Sequence, residues 1–169
     1  MRHPGLLATL LCASVFGFSV AAEPPDVQPM SASLIAHAQS MEAQVRREFL
    51  SDVGHDARTS DELLLWLDGK TLHTDTLGDE AKDELVQKYG AALGQLVIKE
   101  FGGSWVITSS GQGDSMGVDL PVHKVAFVFN RAARRIFNAD PIGFHSYFET
   151  VASLVHGTPP PSDVEARVR

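Results

Sequence analysis

The chain carries a single cysteine, Cys12, in 169 residues. That cysteine lies inside an apolar run over residues 6–20, which follows Arg2 and His3 and leads to Val20-Ala21-Ala22 before Glu23. A short polar start, an apolar centre and a small-residue site describe a secretory signal peptide over residues 1–22, too short and wrongly flanked for a spanning helix. Leu11 stands where a lipoprotein cleavage site would have a small residue. Cleavage after Ala22 removes the one thiol. Disulfides, thiolate metal sites and cysteine nucleophiles are thereby excluded from the exported chain. Such a domain has to hold together by packing, or through a partner.

Positive charge is also scarce. The chain has 14 Lys and Arg against 21 Asp and Glu, for a formal charge of −7. Loss of the signal segment takes away Arg2 and no acid, so the mature charge is −8. A nucleic-acid partner needs concentrated positive charge and is not expected. Beyond residue 22 no apolar run approaches the ~20 residues of a spanning helix, so no transmembrane anchor is expected after cleavage. Internal repeats are absent, and the length suits one domain with a real core. The expected location is periplasmic or secreted.

What the chain does have is centred on residues 77–109. A helix starting near Thr76 or Leu77, capped by Thr74 or Thr76, has Asp79 and Glu80 in its first turn, where acids favour the positive end of the macrodipole. Ala81, Leu85, Tyr89, Ala92 and Leu96 recur at helical spacing, and Leu93, Val97 and Phe101 widen the stripe. Gly90 and Gly94 each cost roughly 1 kcal/mol in a helix interior. Lying four apart on one side, they suit close packing of another element, or a groove for a ligand. Gly102 and Gly103 end the helix, and the β-prone Trp105, Val106 and Ile107 begin a strand at once.

The Leu93-Gly94 pair, Leu96, Phe101-Gly102-Gly103 and Trp105 resemble a family of small bacterial domains of unknown function, in which a Leu-Gly helix runs into a Gly-Gly-x-Trp strand. The similarity extends through Phe129, Ile136 and Asn138-Ala139-Asp140 to Tyr147-Phe148, although family members tend to have Asn-Gly where this chain has Asn138-Ala139. The resemblance implies helices against a small sheet. It implies no activity and no catalytic residues.

The remaining segments are placed by pattern. Residues 23–30, with three prolines, read as a flexible leader, residues 31–157 as a single α+β domain, and residues 158–169 as a disordered tail. Leu34, Ala38, Met41, Val45 and Phe49 mark a first amphipathic helix. Thr59 with Glu62 forms a capping box for a second helix through Leu67, stopped by Asp68-Gly69. Residues 109–114 read as a loop. Val118, Leu120 and Val122 alternate as a strand that Pro121 puts at an edge. Residues 125–129 suit a third strand or a lead into a helix that Asn130 caps. Ile142, His145, Phe148 and Val151 define a last helix, ended by Gly157. The expected fold is α+β, with four to five helices around a small, mostly antiparallel sheet.

Candidate sites are few. Gly113-Asp114-Ser115-Met116-Gly117 matches the Gly-x-Ser-x-Gly pattern of a hydrolase elbow, but Val118-Asp119-Leu120-Pro121 follows as a strand where an elbow requires a helix. The histidines show no His-x-x-x-His pair, and His73-x-Asp75 is a weak two-ligand spacing, so neither metal nor cofactor is expected. Arg131, Arg134 and Arg135 share one helix side and suit a phosphate, a lipid headgroup or a carboxylate. Their bland alternative is a solvated face paired with the surplus acids. Asp79, Glu80, Asp83 and Glu84 read as a charged helix start. The best-supported function is a non-catalytic periplasmic domain binding a protein or envelope component, with a homodimer through helix 34–49 as one form. The alternatives are a small envelope hydrolase using Ser115 or a histidine, and an anion-binding module using the three arginines.

Overall fold

Gly102 ends the central helix as its position predicts. The computed structural model describes residues 26–110 and 113–158; the expected signal peptide over residues 1–22, and the expected tail over residues 158–169 except residue 158, lie outside the described residues. The central helix α3 is Asp79–Phe101, and Gly102 at φ +77° donates its N–H to Ile98 O over 2.9 Å. Gly103 follows at φ +102°, where a Cβ would stand 2.2 Å from the backbone oxygen of Asp119. A side chain is thus refused twice there, by backbone conformation and by space. Strand β2, Ser104–Ser110, starts immediately, and Trp105 is only 4 % exposed.

The chain is α+β. Its order is β1 (Asp26–Pro29), α1 (Ala32–Val53), α2 (Ser60–Lys70), a 3-10 turn (Thr74–Thr76), α3, β2, β3 (Gly113–Leu120), β4 (Lys124–Ala126), α4 (Val128–Phe137) and α5 (Phe144–His156). The four strands form one antiparallel sheet in the order β1-β2-β3-β4. On β2 and β3 the paired residues Trp105–Val118 and Ile107–Met116 point toward the helices. From Val86 to Val97 α3 is buried at nearly every position, including both of its interior glycines. It is the axis about which the sheet and the other helices pack.

The glycines serve packing. A Cβ on Gly90 would meet Phe129 Cδ1 at 2.6 Å, and one on Gly94 would meet Trp105 Cη2 at 2.0 Å. Phe129 and Trp105 also contact each other, with ring centroids 5.8 Å apart. The hollow beside α3 is therefore filled by two aromatic rings of the chain itself, and no ligand groove lies over the glycines.

Several expectations need correction. Asp26–Pro29, expected as part of a flexible leader, is an edge strand in register with Val106–Ser109, and Met30 N–H continues the ladder to Trp105 O. Pro29 is tolerated because an edge strand does not need every N–H. Neither threonine caps α3. Its cap is Gly78, while Thr74 Oγ1 bonds Ile136 O at 3.2 Å and so ties the 3-10 turn to α4. Strand β3 stops at Leu120, since Pro121 lacks a donor and His123 turns at φ +55°. Asn130 lies inside α4, whose cap position is Phe127. Residues 109–114, expected as a loop, mostly extend β2 and β3, with residues 111 and 112 outside the described residues.

The second helix runs three residues beyond Leu67, through the expected stop. Asp68 acts on a different helix. Its carboxylate accepts the N–H groups of Phe144 at 2.6 Å and His145 at 3.1 Å. It caps α5 from a distant element, and Gly143 leaves room, because a Cβ there would sit 2.5 Å from both carboxylate oxygens. Asp68→Ala is expected to cost about 1–2 kcal/mol, the worth of a lost cap with charge-assisted bonds. Urea unfolding measures it, and an unchanged midpoint would contradict this cap.

Candidate functional site

The three arginines share one side of α4, as their spacing predicts, and they converge on Asp140. Arg131 Nη2 and Arg134 Nη2 each lie 3.0 Å from Asp140 Oδ2. Arg135 donates to the backbone oxygen of Asp140 at 2.7 Å and to Thr71 Oγ1 at 3.1 Å. Asp140 in turn accepts Ile142 N–H at 3.0 Å. The cluster closes the α4–α5 connection, where Ala139 sits at φ +49°.

Its electrostatics are those of a buried clasp. Arg131 is 5 % exposed, and the Asp140 side chain 9 %. Burial alone would raise the Asp140 carboxyl, but the Ile142 N–H and the guanidiniums of Arg131 and Arg134 outweigh it and hold the group below its ordinary value. Burial lowers Arg131, against the pull of Asp140. Tyr147, beside Arg131, is pushed up to about 12 chiefly by burial and stays a neutral phenol. Arg131 Nε lacks an acceptor, and the contact of Nη2 with Asp140 is one of charge more than of aligned hydrogen bonding. Arg134 stays 66 % exposed.

Ser115 lies within β3, opposite Thr108, and its backbone oxygen accepts the Thr108 hydroxyl at 3.2 Å. The Gly-x-Ser-x-Gly pattern is thus strand throughout and has no strand-to-helix turn to present a nucleophile. Among the described residues no hydrogen bond joins Ser115 to a histidine. The histidines are dispersed: His55 near Glu62 at 3.5 Å, His145 between Asp61 and Glu149 at 3.6 and 3.9 Å, His156 edge-on to Phe101. His73 and Asp75 are exposed at the 3-10 turn. Among the described residues no group of three or more His, Cys, Asp or Glu could hold a metal ion. Asp79, Glu80, Asp83 and Glu84 are solvent-exposed on the first turns of α3.

Two hollows remain. A shallow one of about 330 Å³ lies at the start of α2 between Arg58 and Lys99, with Asp61 and Glu100 balancing the charge. The other, about 90 Å³, opens where α1 crosses the sheet and α3, and its walls include Met30, His37, Met41, Ala91, Met116 and Phe129. His37 and Met41 lie one turn apart on α1. Met30 follows β1, and Met116 faces inward from β3. Burial is graded across it: Met30 is interior, Met41 and Met116 are half-buried, and Leu34 at 39 % and His37 are exposed. Sequence reasoning missed this site, because its walls come from positions up to 99 residues apart. The one local signal was the i, i+4 placement of His37 and Met41.

Among the described residues no helix is long and apolar enough to cross a membrane. Comparison with protein-family models, with curated proteins and with solved structures finds no match to this chain.

Proposed function

We propose that this chain is a periplasmic binding protein that acts without catalysis and takes a small apolar or soft ligand into the cavity between α1, α3 and the sheet. The single observation carrying the reading is that cavity: a mostly apolar hollow with two polar residues, His37 and Gln87, in its lining. Methionine walls adapt to guests better than branched side chains do. The signal-like N-terminus supports export, and the layout of residues 93–105 supports kinship with the Gly-Gly-x-Trp domains.

The test uses the chain as cells export it, recovered with Glu23 at its N-terminus and labelled with ¹³C at the methionine methyls. Met30, Met41 and Met116 all line the cavity, so every methionine left in that chain is a reporter. Xenon, a guest for apolar cavities, is expected to shift the three resonances together. Ala38→Leu, which narrows the same hollow, should suppress the shifts. Three unmoved methyl signals under xenon pressure would refute the cavity reading, and failure to recover the Glu23 form would refute export.

A second reading has its own observation. The unaccepted Nε of buried Arg131, beside exposed Arg134, favours an anion at the Arg131–Arg134–Arg135 cluster. Asp140 already fills the space in which such an anion would bind, so this reading ranks second.

A further inference from the structure

We infer that the cavity is a soft-metal site that holds one Cu(I) ion among the thioethers of Met30, Met41 and Met116, with the His37 imidazole at its mouth. The inference rests on the cavity being a binding site, and it names the ligand.

The first support is distribution. The chain has four methionines, and Met1 falls in the segment expected to be cleaved. The other three, from the β1–α1 junction, α1 and β3, meet at one hollow. Met30 belongs to the core and Met41 and Met116 pack against its edge, while the rest of this core is leucine, isoleucine, valine, alanine and aromatic residues, so the methionines are gathered at one place. Donor chemistry is the second support. Three thioether sulfurs and an imidazole are neutral, soft or intermediate donors, and no carboxylate lines the cavity. Mg²⁺ and Ca²⁺ require oxygen ligands and would lose their hydration for nothing in return. A set of thioethers with no thiolate and no carboxylate suits the soft monovalent ion Cu(I) better than harder divalent ions.

Access and redox stability complete the case. His37 is exposed while Met30 is buried, so an incoming ion meets the imidazole first and then the sulfurs. Once Cys12 is removed with the signal segment the chain has no thiol. Thioethers, unlike thiols, bind a soft ion without deprotonating and do not pair into disulfides.

The deciding experiment titrates the exported chain anaerobically with Cu(I) in competition with bicinchoninate, while the three methionine methyl resonances are followed. One equivalent is expected to bind and to move all three signals. Met41→Leu and Met116→Leu, which conserve volume and are checked for an unchanged unfolding midpoint, should each weaken binding at least tenfold. The triple variant with Met30→Leu should lose it. Zn²⁺ should leave the methyl signals in place. Absence of Cu(I) binding, binding with unmoved methyl signals, or affinity surviving in the leucine variants would overturn the inference. Xenon separates the two failures: a cavity that admits xenon but refuses Cu(I) leaves the binding site standing and removes the metal. A cavity that admits neither removes both.

Discussion

Gly94→Ala is expected to destabilise the chain by about 2–3 kcal/mol, the range for overpacking a filled core. Helix propensity alone argues the opposite sign, since alanine is better than glycine in a helix interior by roughly 1 kcal/mol. Space decides between them. The new methyl would stand 2.0, 2.6 and 2.8 Å from three atoms of the Trp105 ring. That ring is buried between α3 and the sheet, with Phe129 beside it, so it has no free direction in which to retreat. Gly69 is the internal control. It lies in α2 with nothing within 4 Å of an added Cβ, so Gly69→Ala should be neutral or stabilising by up to about 1 kcal/mol. Urea unfolding of the two variants gives opposite shifts. If Gly94→Ala stabilised the chain as Gly69→Ala does, the contact between α3 and Trp105 would be refuted.

Asp140→Ala should cost still more, about 3–5 kcal/mol, because it leaves the buried Arg131 charge without its counter-ion. It also removes the acceptor for Ile142 N–H. Arg131→Met should cost less, since Asp140 would keep Arg134 and that N–H. Combining the two should recover much of the loss, a coupling that a double-mutant cycle reads directly. An Asp140→Ala loss below about 1 kcal/mol would contradict the clasp. Inorganic phosphate adds a second readout. Restoration of Asp140→Ala stability by phosphate, with the native chain indifferent to it, would show that the Asp140 carboxylate fills the anion position, whereas stabilisation of the native chain by phosphate would favour the anion-binding reading of the arginines.

The pH dependence of the clasp has a definite sign. The folded Asp140 carboxyl titrates below its ordinary value. Between about pH 4, where an unfolded aspartate takes up its proton, and the lower folded value, the unfolded chain binds more protons. The stabilisation is therefore complete above about pH 4 and is lost as pH falls through the folded value. The stability gap between native chain and Asp140→Ala should narrow over that acidic window and hold constant from about pH 5 to 7. The neutral Tyr147 phenol, near 12, takes no part there.

Patterns of three and four residues explain what was legible. The stripe on α3, the Thr59 cap that accepts Glu62 N–H at 3.2 Å, and the glycine stops at Gly102 and Gly157 all act within one or two turns. Backbone sterics and side-chain spacing set them locally, whatever the distant neighbours. The convergence of the arginines was half legible. Their shared helix side follows from spacing, but their counter-ion stands beyond a turn whose shape depends on Ala139 at positive φ. Proline content made residues 26–29 read as leader, because edge-strand pairing is conferred by the partner strand and leaves little mark on the sequence.

By itself, then, the sequence determined the helices, the glycine stops of α3 and α5, the Trp105 strand and the α+β class, since each follows from local periodicity and backbone preference. Only the tertiary structure decided that β1 closes the sheet edge, that Asp68 caps a helix 76 residues away, and that three methionines and a histidine face one hollow. Those meetings depend on how whole faces pack. A side chain's distant neighbour is chosen by the burial of the entire core, and no short window of sequence contains that information.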